Sequence, residues 1–311
     1  MLRYFGVRLL DAIPTILLVL TLVFVAMRIL PGDPAIAVLG DGARPEQIAE
    51  LREKMGLNQP LIVQYLSFLR DIATLNFGAS LIHRTPVLEL IGYNLPYTIE
   101  LTIVATAMGV IAGVPFGVYA ATRRNRLPDA GLRVFSLLGY AIPDFYLGAL
   151  LLIGFSLNLG WFPISGAGSG FFDRLHHVFL PALTLATLKT AFMGRLTRTS
   201  LLEVMGKDYI RTARAKGARE PRVTYVHGMR NAMLPLVTGL GLSILATLSG
   251  SVAIELVFNR PGIGALLIRA IAERDYTMIQ GGVVVFAMFV VLVNLVMDFA
   301  YLVVDPRIRV A

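Results

Sequence analysis

Long apolar runs recur along the chain, and shorter stretches between them hold most of the charged residues. A helix needs roughly 20 apolar residues to cross the hydrocarbon core of a bilayer. The runs that reach this length predict six membrane-spanning helices, near residues 9–30, 97–121, 134–158, 179–198, 233–258 and 281–304. The first run is too long for the apolar part of a secretion signal and no A-x-A cleavage site follows it, so we interpret it as an uncleaved span. The pattern predicts an all-helical membrane protein.

The largest stretch between spans, residues 31–95, carries the pattern of two short amphipathic helices. The first begins with Pro45 at its first helical position and stops at Gly56. The second runs from Pro60 to about Arg70. A segment of this size is too small for a robust core of its own, so we expect it to pack on the membrane domain or on a partner. Another external stretch, residues 258–276, has a Pro-Gly turn followed by an amphipathic helix.

The predicted organisation has four parts. It comprises an N-terminal tail with the first span, an external segment, a core of five spans and a cytoplasmic tail, at residues 1–30, 31–95, 96–304 and 305–311. The core includes a long cytoplasmic loop at about residues 199–231.

Charge sets the orientation of these spans. Only 15% of the residues are charged, against about 25% in soluble proteins. With the N-terminus in the cytoplasm, 17 of the 28 Lys and Arg residues lie on the cytoplasmic side, as the positive-inside tendency requires. Anionic lipid accounts for the net charge of +8 better than a nucleic-acid partner does. The chain has no cysteine, which excludes disulfides, thiolate metal sites and cysteine catalysis.

The cytoplasmic loop contains an unusual basic stretch of small residues. Ser200 and Glu203 have the spacing of a capping box, and Gly217 before Pro221 is a stop signal. They predict a helix of about 17 residues. One face of it holds small residues together with one isoleucine, namely Gly206, Ile210, Ala213 and Gly217, and another face holds the cations Lys207, Arg211 and Arg214. A helix resting on anionic lipid is the alternative, but such helices bury bulky side chains. The small face favours docking on another protein.

The basic stretch and the segment after it resemble a known family. "DYIRTARAKGA" (208–218), followed by "RNAMLP" (230–235), is similar to the EAA loop of ABC importer permeases, above all the B-type permeases of dipeptide and oligopeptide importers. Further matching motifs follow in order: "LPGDP" (30–34), "GLNQPLIVQY" (56–65), "FGAS" (77–80), "LPYTIEL" (95–101), "TRTSLLEV" (197–204), "RPGIG" (260–264), "RDYTMIQGGV" (274–283) and "DPRIR" (305–309). The chain departs from the general Glu-Ala-Ala pattern at Arg211, Thr212 and Ala213, and its distance from Gly217 to Pro235 is longer. Both departures are features of the peptide branch.

The resemblance implies a type I ABC importer (MetI-like) permease fold with six spans and both termini in the cytoplasm. It implies a multi-pass protein of the bacterial inner membrane, paired with a second homologous permease, two ABC ATPase subunits and an external substrate-binding protein. It also implies that the basic helix sits in a groove of an ATPase. The residues assigned to this contact are Gly206, Asp208, Tyr209, Ile210, Arg211, Thr212, Ala213, Arg214, Lys216 and Gly217.

The sequence itself indicates that ATP energy comes from other chains. It lacks a G-x-x-x-x-G-K-[ST] motif, because "GKD" at 206–208 has neither the upstream glycine nor the hydroxyl residue. We therefore expect a subunit that is not an enzyme and binds no cofactor, with ATP and Mg held by the ATPase partners. Catalysis within the membrane is disfavoured, since no Ser-His-Asp or paired-carboxylate constellation and no metal-ligand spacing of histidines is present.

Polar residues inside or near the spans are candidates for a translocation pathway: Lys189, Glu100, Asp144, Glu255, Asn294 and Asp298. Lys189 lies within the fourth span; it lines the pathway and meets a peptide carboxylate, or reaches the cytoplasmic surface, or pairs with a carboxylate. The three carboxylates near the outer span ends form an acidic mouth, or simply lie at the membrane interface, or pair with nearby arginines. Asn294 and Asp298 share a side of the sixth span and are expected to contact another helix.

The expected cargo is a dipeptide or short oligopeptide. Two alternatives stay open within the same class of transporter, a nickel chelate and glutathione. A self-sufficient ion-coupled carrier is the alternative from another class, and it leaves the docking helix unexplained.

Overall fold

The computed structural model describes residues 2–29, 34–39 and 42–304, and helices make up its regular structure. The helices are α1 (Leu2–Ile29), α2 (Pro34–Leu39), α3 (Pro45–Lys54), α4 (Leu61–Ala73), α5 (Val87–Thr122), α6 (Leu127–Ala141), α7 (Asp144–Leu151), α8 (Phe171–Met205), α9 (Asp208–Ala215), α10 (Glu220–Arg222), α11 (Met229–Val257), α12 (Ile263–Ala272) and α13 (Tyr276–Val304). Two π-helical segments, Leu152–Asn158 and Val223–Gly228, continue α7 and join α10 to α11. The predicted all-helical class is confirmed.

The chain divides into two compact units. One comprises Met1–Pro96 and Gly262–Leu292, and the other comprises Tyr97–Pro261 and Val293–Ala311. Helices α5 and α13 each contribute residues to both units. The first unit has an apolar core of residues from α1, α4, α12 and the beginnings of α5 and α13, among them Phe24, Phe68, Ile91, Ile263 and Met278.

The short external helices occur where the sequence predicts them. Helix α3 begins at Pro45, and Gly56 behind it has a φ of +65°, the left-handed conformation that glycine adopts without strain. Helix α4 begins directly after Pro60. The ring centroids of Phe24 on α1 and Phe68 on α4 are 5.6 Å apart. The segment therefore buries its apolar face against membrane-type helices of its own unit, as expected for a stretch too small for a separate core.

A ladder of glycines brings α5 close to α8 in the second unit. Gly109, Gly113 and Gly117 stand four residues apart and so share one face of α5. A methyl group added at Gly113 would lie 2.9 Å from the Thr190 carbonyl oxygen, and one at Gly117 would collide with the Gly194 carbonyl oxygen. Small residues at this spacing let two helix backbones approach, which is a common mode of helix packing in membranes.

The third predicted span is not one continuous helix, which corrects the expectation for residues 134–158. Helix α6 ends at Ala141, and the axis turns by 98° before α7 and its π-helical continuation. Pro143 is the cause, because the residue before a proline is pushed out of the helical region. Ile142 accordingly has an extended backbone, with φ −96° and ψ 120°.

Within the described residues, four helices are long and apolar enough to cross a membrane, and the bent pair makes a fifth if it crosses as one span. The fourth predicted span lies inside α8, which is 35 residues long but less apolar. The chain is a multi-pass membrane protein. The count of six and the cytoplasmic position of both termini stay predictions. Residues 30–33 of the "LPGDP" motif and the tail 305–311 lie outside the described residues.

Candidate functional site

The basic stretch forms a shorter helix than the sequence predicts. Ser200 and Glu203 belong to α8, so the predicted capping-box start is wrong. Helix α8 continues through them because Leu201 is fully buried in a cluster with Val118 and Ala121 of α5. Helix α9 begins at Asp208 and has 8 residues. Its predicted stop is confirmed: Gly217 has a φ of +80°, a conformation that other residues rarely adopt.

The side of α9 that faces its own chain is the one predicted to face a partner. Ile210 is completely buried, and α9 packs against the π-helical segment Val223–Gly228. Ala213 is half-buried on the same side. The expectation of an open contact face is therefore wrong at Ile210 and Ala213, whereas Gly206 and Gly217, which lie beyond the two ends of α9, are exposed. The opposite face is exposed and carries Asp208, Tyr209, Arg211, Thr212, Ala215 and Lys216.

Several charged residues of the loop form ion pairs with one another. Arg214 donates to both carboxylate oxygens of Glu220, at 2.7 and 3.2 Å, and this contact raises the pKa of Arg214 above its usual value. Arg211 pairs with Asp208 at 3.4 Å. These pairs are exposed, so they order the loop more than they stabilise the fold. Arg214 is thus directed towards α10 of its own chain.

Two of the three carboxylates expected at an acidic mouth are committed to other groups. Glu100 accepts hydrogen bonds from Arg260, at 2.6 Å, and from Arg174, at 3.1 Å. Glu255 is fully buried and accepts one from Thr98 at 2.7 Å. Glu100 therefore follows the alternative expectation for these carboxylates, which is pairing with arginine.

The Arg260 guanidinium is a deeply buried positive charge next to Glu100. It is 1% exposed, and the Nε and Nη1 atoms have no hydrogen-bond acceptor in the described residues. Burial lowers the pKa of Arg260, and the Glu100 carboxylate acts in the opposite direction. Arginine stays protonated in proteins, so Glu100 balances a buried positive charge and cannot serve as a free acidic receptor.

The remaining carboxylate, Asp144, lines a cleft together with Lys189. The cleft measures 260 Å³ and lies between the bend that joins α6 to α7 and the helices α8 and α11. The Lys189 side chain is buried, and its ammonium group donates to the Thr106 hydroxyl at 2.6 Å and to the Ser243 carbonyl at 3.3 Å. It neither reaches the surface nor forms an ion pair with any residue that the structure describes.

The last two pathway candidates are on α13. Asn294 is exposed, and the side chain of Asp298 lies outside the described residues. Between them, Met297 is buried against Gly241 of α11, at 3.1 Å from the position of a methyl group added there. In the described parts of the chain, no group of three or more His, Asp or Glu residues is arranged to hold a metal ion.

Sequence reasoning missed two structural features that position these residues. The glycine spacing on α5 was visible in the sequence as G-x-x-x-G-x-x-x-G, and Gly109 lies directly against the stem of Lys189. The second feature is the contact between Asp129 and Arg198, in which the fully buried carboxylate of α6 meets α8. No local signal identifies such a pair, since 69 residues separate the partners.

Comparisons with known proteins define the class of protein that has this fold and loop. A chain of the MetNI methionine ABC transporter, solved in inward-facing conformations, superposes with a TM-score of 0.58 at 18% identity, over 70% of this chain and 96% of that chain. A chain of an amino acid ABC transporter gives a TM-score of 0.52 at 14% identity, over 69% of this chain and 94% of that chain. At such identities the likeness establishes the fold alone.

Sequence comparison establishes the family. The family described as "Binding-protein-dependent transport system inner membrane component" matches residues 113–310, and the corresponding N-terminal family matches residues 1–102. The chain is 42% identical to the oligopeptide transport system permease protein AppB of Bacillus subtilis (strain 168), over 97% of this chain and 98% of that protein. It is also 42% identical to the glutathione transport system permease protein GsiC of Escherichia coli (strain K12), over 99% of both. The chain belongs to the family of membrane components of binding-protein-dependent transport systems.

Proposed function

We propose that this chain is one of two permease subunits of an ATP-driven importer that carries dipeptides and short oligopeptides across the bacterial inner membrane. Its partners are a second homologous permease, two ABC ATPases that hold ATP and Mg, and an external substrate-binding protein. The pathway runs at the interface of the two permeases and opens to one side at a time. The observation that carries the proposal is the near-full-length similarity to AppB and GsiC, which are named for oligopeptide and glutathione transport.

Glutathione is the second candidate cargo, because the similarity to GsiC is as high and as long as that to AppB. Glutathione is itself a tripeptide with two carboxylates, so both candidates belong to one chemical class. Binding measurements on the purified partner binding protein, with short peptides, glutathione and a nickel chelate as ligands, separate them. We expect binding of short peptides. Binding of the nickel chelate alone would contradict the proposed cargo.

Helix α9 is proposed to transmit the nucleotide state of the ATPases to the membrane helices. Ile210 anchors one side of it to the π-helical segment ahead of α11, while Tyr209, Thr212 and Ala215 are exposed on the other side. A helix that is fixed on one side and exposed on the other can pass a push from a partner into α11. The docking surface is therefore assigned to the exposed face of α9 and not to the inner face that carries Ile210 and Ala213.

Substitution of Ala215, the last residue of α9, tests this surface. Ala215→Leu adds a branched side chain to the exposed face while helix propensity changes little. We expect loss of ATPase co-purification and of ATP-driven uptake, with normal insertion of the chain in the membrane. Ala73→Leu is the matched control, since Ala73 is also exposed and is the last residue of α4 in the external segment. If both variants retain ATPases and transport equally, α9 does not dock through this face, and a helix resting on lipid becomes the better account.

A further inference from the structure

The cleft beside Lys189 exists because α6 and α7 do not form one helix. Proline-induced bending at residues 142–143 turns the chain by 98° and leaves space between the bend and the neighbouring helices. Side chains of α6, α7, α8 and α11 line the space; they are Tyr140, Asp144, Leu185, Leu188, Lys189, Phe192, Leu242, Ser243, Ala246 and Thr247. Most of the lining is apolar, and among the described residues that form it one cation and one anion are charged.

The Lys189 ammonium lacks a negative partner among the residues that the structure describes. A lysine ammonium has three hydrogens to donate, and two of them go to neutral oxygens, those of Thr106 and Ser243. A buried cation held only by neutral acceptors keeps much of its desolvation cost. The side chain is nevertheless fixed in place, because Gly109 leaves room for its stem and the two hydrogen bonds hold its end. It is a positioned donor with one hydrogen available for an anion.

Asp144 supplies the opposite charge within the same cleft. It occupies the first turn of α7, where the helix dipole favours a carboxylate. Its Oδ2 atom lies beside Gly250 of α11, 2.9 Å from the position that a methyl group at Gly250 would take. The absence of a side chain at Gly250 therefore provides the space for this carboxylate. The cleft is thus lined by a cation on α8 and an anion on α7, together with mostly apolar side chains.

We propose that this cleft is a transit subsite for short zwitterionic peptides. Lys189 receives the terminal carboxylate, Asp144 receives the terminal ammonium, and the apolar lining accepts side chains without selecting among them. The inference rests on the proposed peptide transport and adds a site to it. It explains why the cation has no carboxylate partner among the residues that the structure describes. A carboxylate supplied by the second permease is the competing occupant, and the experiment below distinguishes the two.

The test uses the assembled permease–ATPase complex in proteoliposomes, with a single cysteine introduced as Ala246→Cys. The chain has no cysteine of its own, and Ala246 lines the cleft and is exposed. Labelling by a small maleimide is followed by mass spectrometry of this chain, with trialanine, trialanine amide or N-acetyl-trialanine added directly and without binding protein. Leu127→Cys, at an exposed position outside the cleft, is the control and should react equally under all conditions.

Trialanine should protect Ala246→Cys at concentrations roughly tenfold to a hundredfold lower than either blocked peptide, the factor expected for losing one hydrogen bond to a charged group. In the Lys189→Met background, trialanine and its amide should protect equally. In the Asp144→Asn background, trialanine and N-acetyl-trialanine should protect equally. Lys189→Arg should restore the preference for the free carboxylate. If Lys189→Met fails to assemble, the Asp144→Asn and Lys189→Arg comparisons still decide the matter.

Three results would overturn the subsite. Equal protection by all three peptides in the unaltered background would show that the charges do not recognise the termini. Failure of Ala246→Cys to react even without peptide would show that the second permease fills the cleft. Absence of protection by trialanine, in vesicles that still import trialanine with ATP and binding protein, would exclude the subsite while peptide transport stands. Absence of uptake as well would refute the proposed function together with the subsite.

Discussion

The glycine ladder on α5 gives the sharpest prediction about what holds the second unit together. Gly113→Ala adds one methyl group at the contact with α8, where it would lie 2.9 Å from the Thr190 carbonyl oxygen and 3.0 Å from the Met193 Cβ. Real Cβ atoms do not approach other atoms so closely, and a backbone oxygen cannot rotate away. The two helices must therefore separate along the ladder.

The expected magnitude follows from a comparison with Gly92 on the same helix. A methyl group at Gly92 meets no atom within 4 Å. Both substitutions gain the same helix propensity, so the difference between the two variants isolates the packing cost. Inserting a methyl group into a tight contact costs about 1–3 kcal/mol. At about 2–4 °C per kcal/mol for larger domains, this corresponds to a difference of roughly 2–12 °C in the unfolding midpoint.

The assay is thermal unfolding of the two purified variants in the same detergent, followed by loss of the monodisperse species on size-exclusion chromatography. Gly92→Ala should match or exceed the unaltered chain, and Gly113→Ala should unfold at a lower temperature. Equal or higher stability of Gly113→Ala relative to Gly92→Ala would refute the argument that close backbone contact between α5 and α8 requires glycine.

The remaining predictions concern charge and topology. Glu100→Gln removes the carboxylate that accepts the hydrogen bond of the buried Arg260 guanidinium, while Glu255 stays as a second nearby carboxylate, so we expect a loss of about 1–3 kcal/mol in the same unfolding assay; an unchanged midpoint would show that the Glu100–Arg260 pair does not stabilise the unit. Single cysteines at Gly42 and Ser169 should react with an impermeant thiol reagent added to intact cells, whereas one at Arg126 should react only after lysis. Reaction at Arg126 in intact cells would contradict the orientation with the N-terminus in the cytoplasm.

Local signals in the sequence were sufficient where a single residue determines the backbone. Pro45 and Gly56 mark the start and stop of α3, and Gly217, which was predicted to end the basic helix, lies just after α9 with a positive φ. Local signals failed where packing decides. The spacing of Ser200 and Glu203 is that of a capping box, yet burial of Leu201 against α5 carries α8 through both residues.

In the candidate site too, local signals identified single residues but not the contacts that packing creates. The cost of a lysine in a span identified Lys189 as a residue of interest, but its two acceptors, Thr106 and Ser243, lie 83 and 54 residues away in the chain. The side of α9 that faces its own chain could not be deduced from small residues either, because a face of glycine and alanine suits contact with the same chain as well as with a partner. Pro143 was visible in the sequence, but the apolar run around it concealed the bend.

The most direct test of the central claim measures what drives transport. The chain, its second permease and the two ATPases are reconstituted in proteoliposomes, and uptake of radiolabelled trialanine is measured with binding protein outside the vesicles and ATP or ADP on the ATPase side. We predict uptake only when ATP, the ATPases and the binding protein are all present, and no effect of imposed proton or sodium gradients. Uptake by this chain alone, driven by an ion gradient and without ATP, would contradict the account and identify the chain as an ion-coupled carrier.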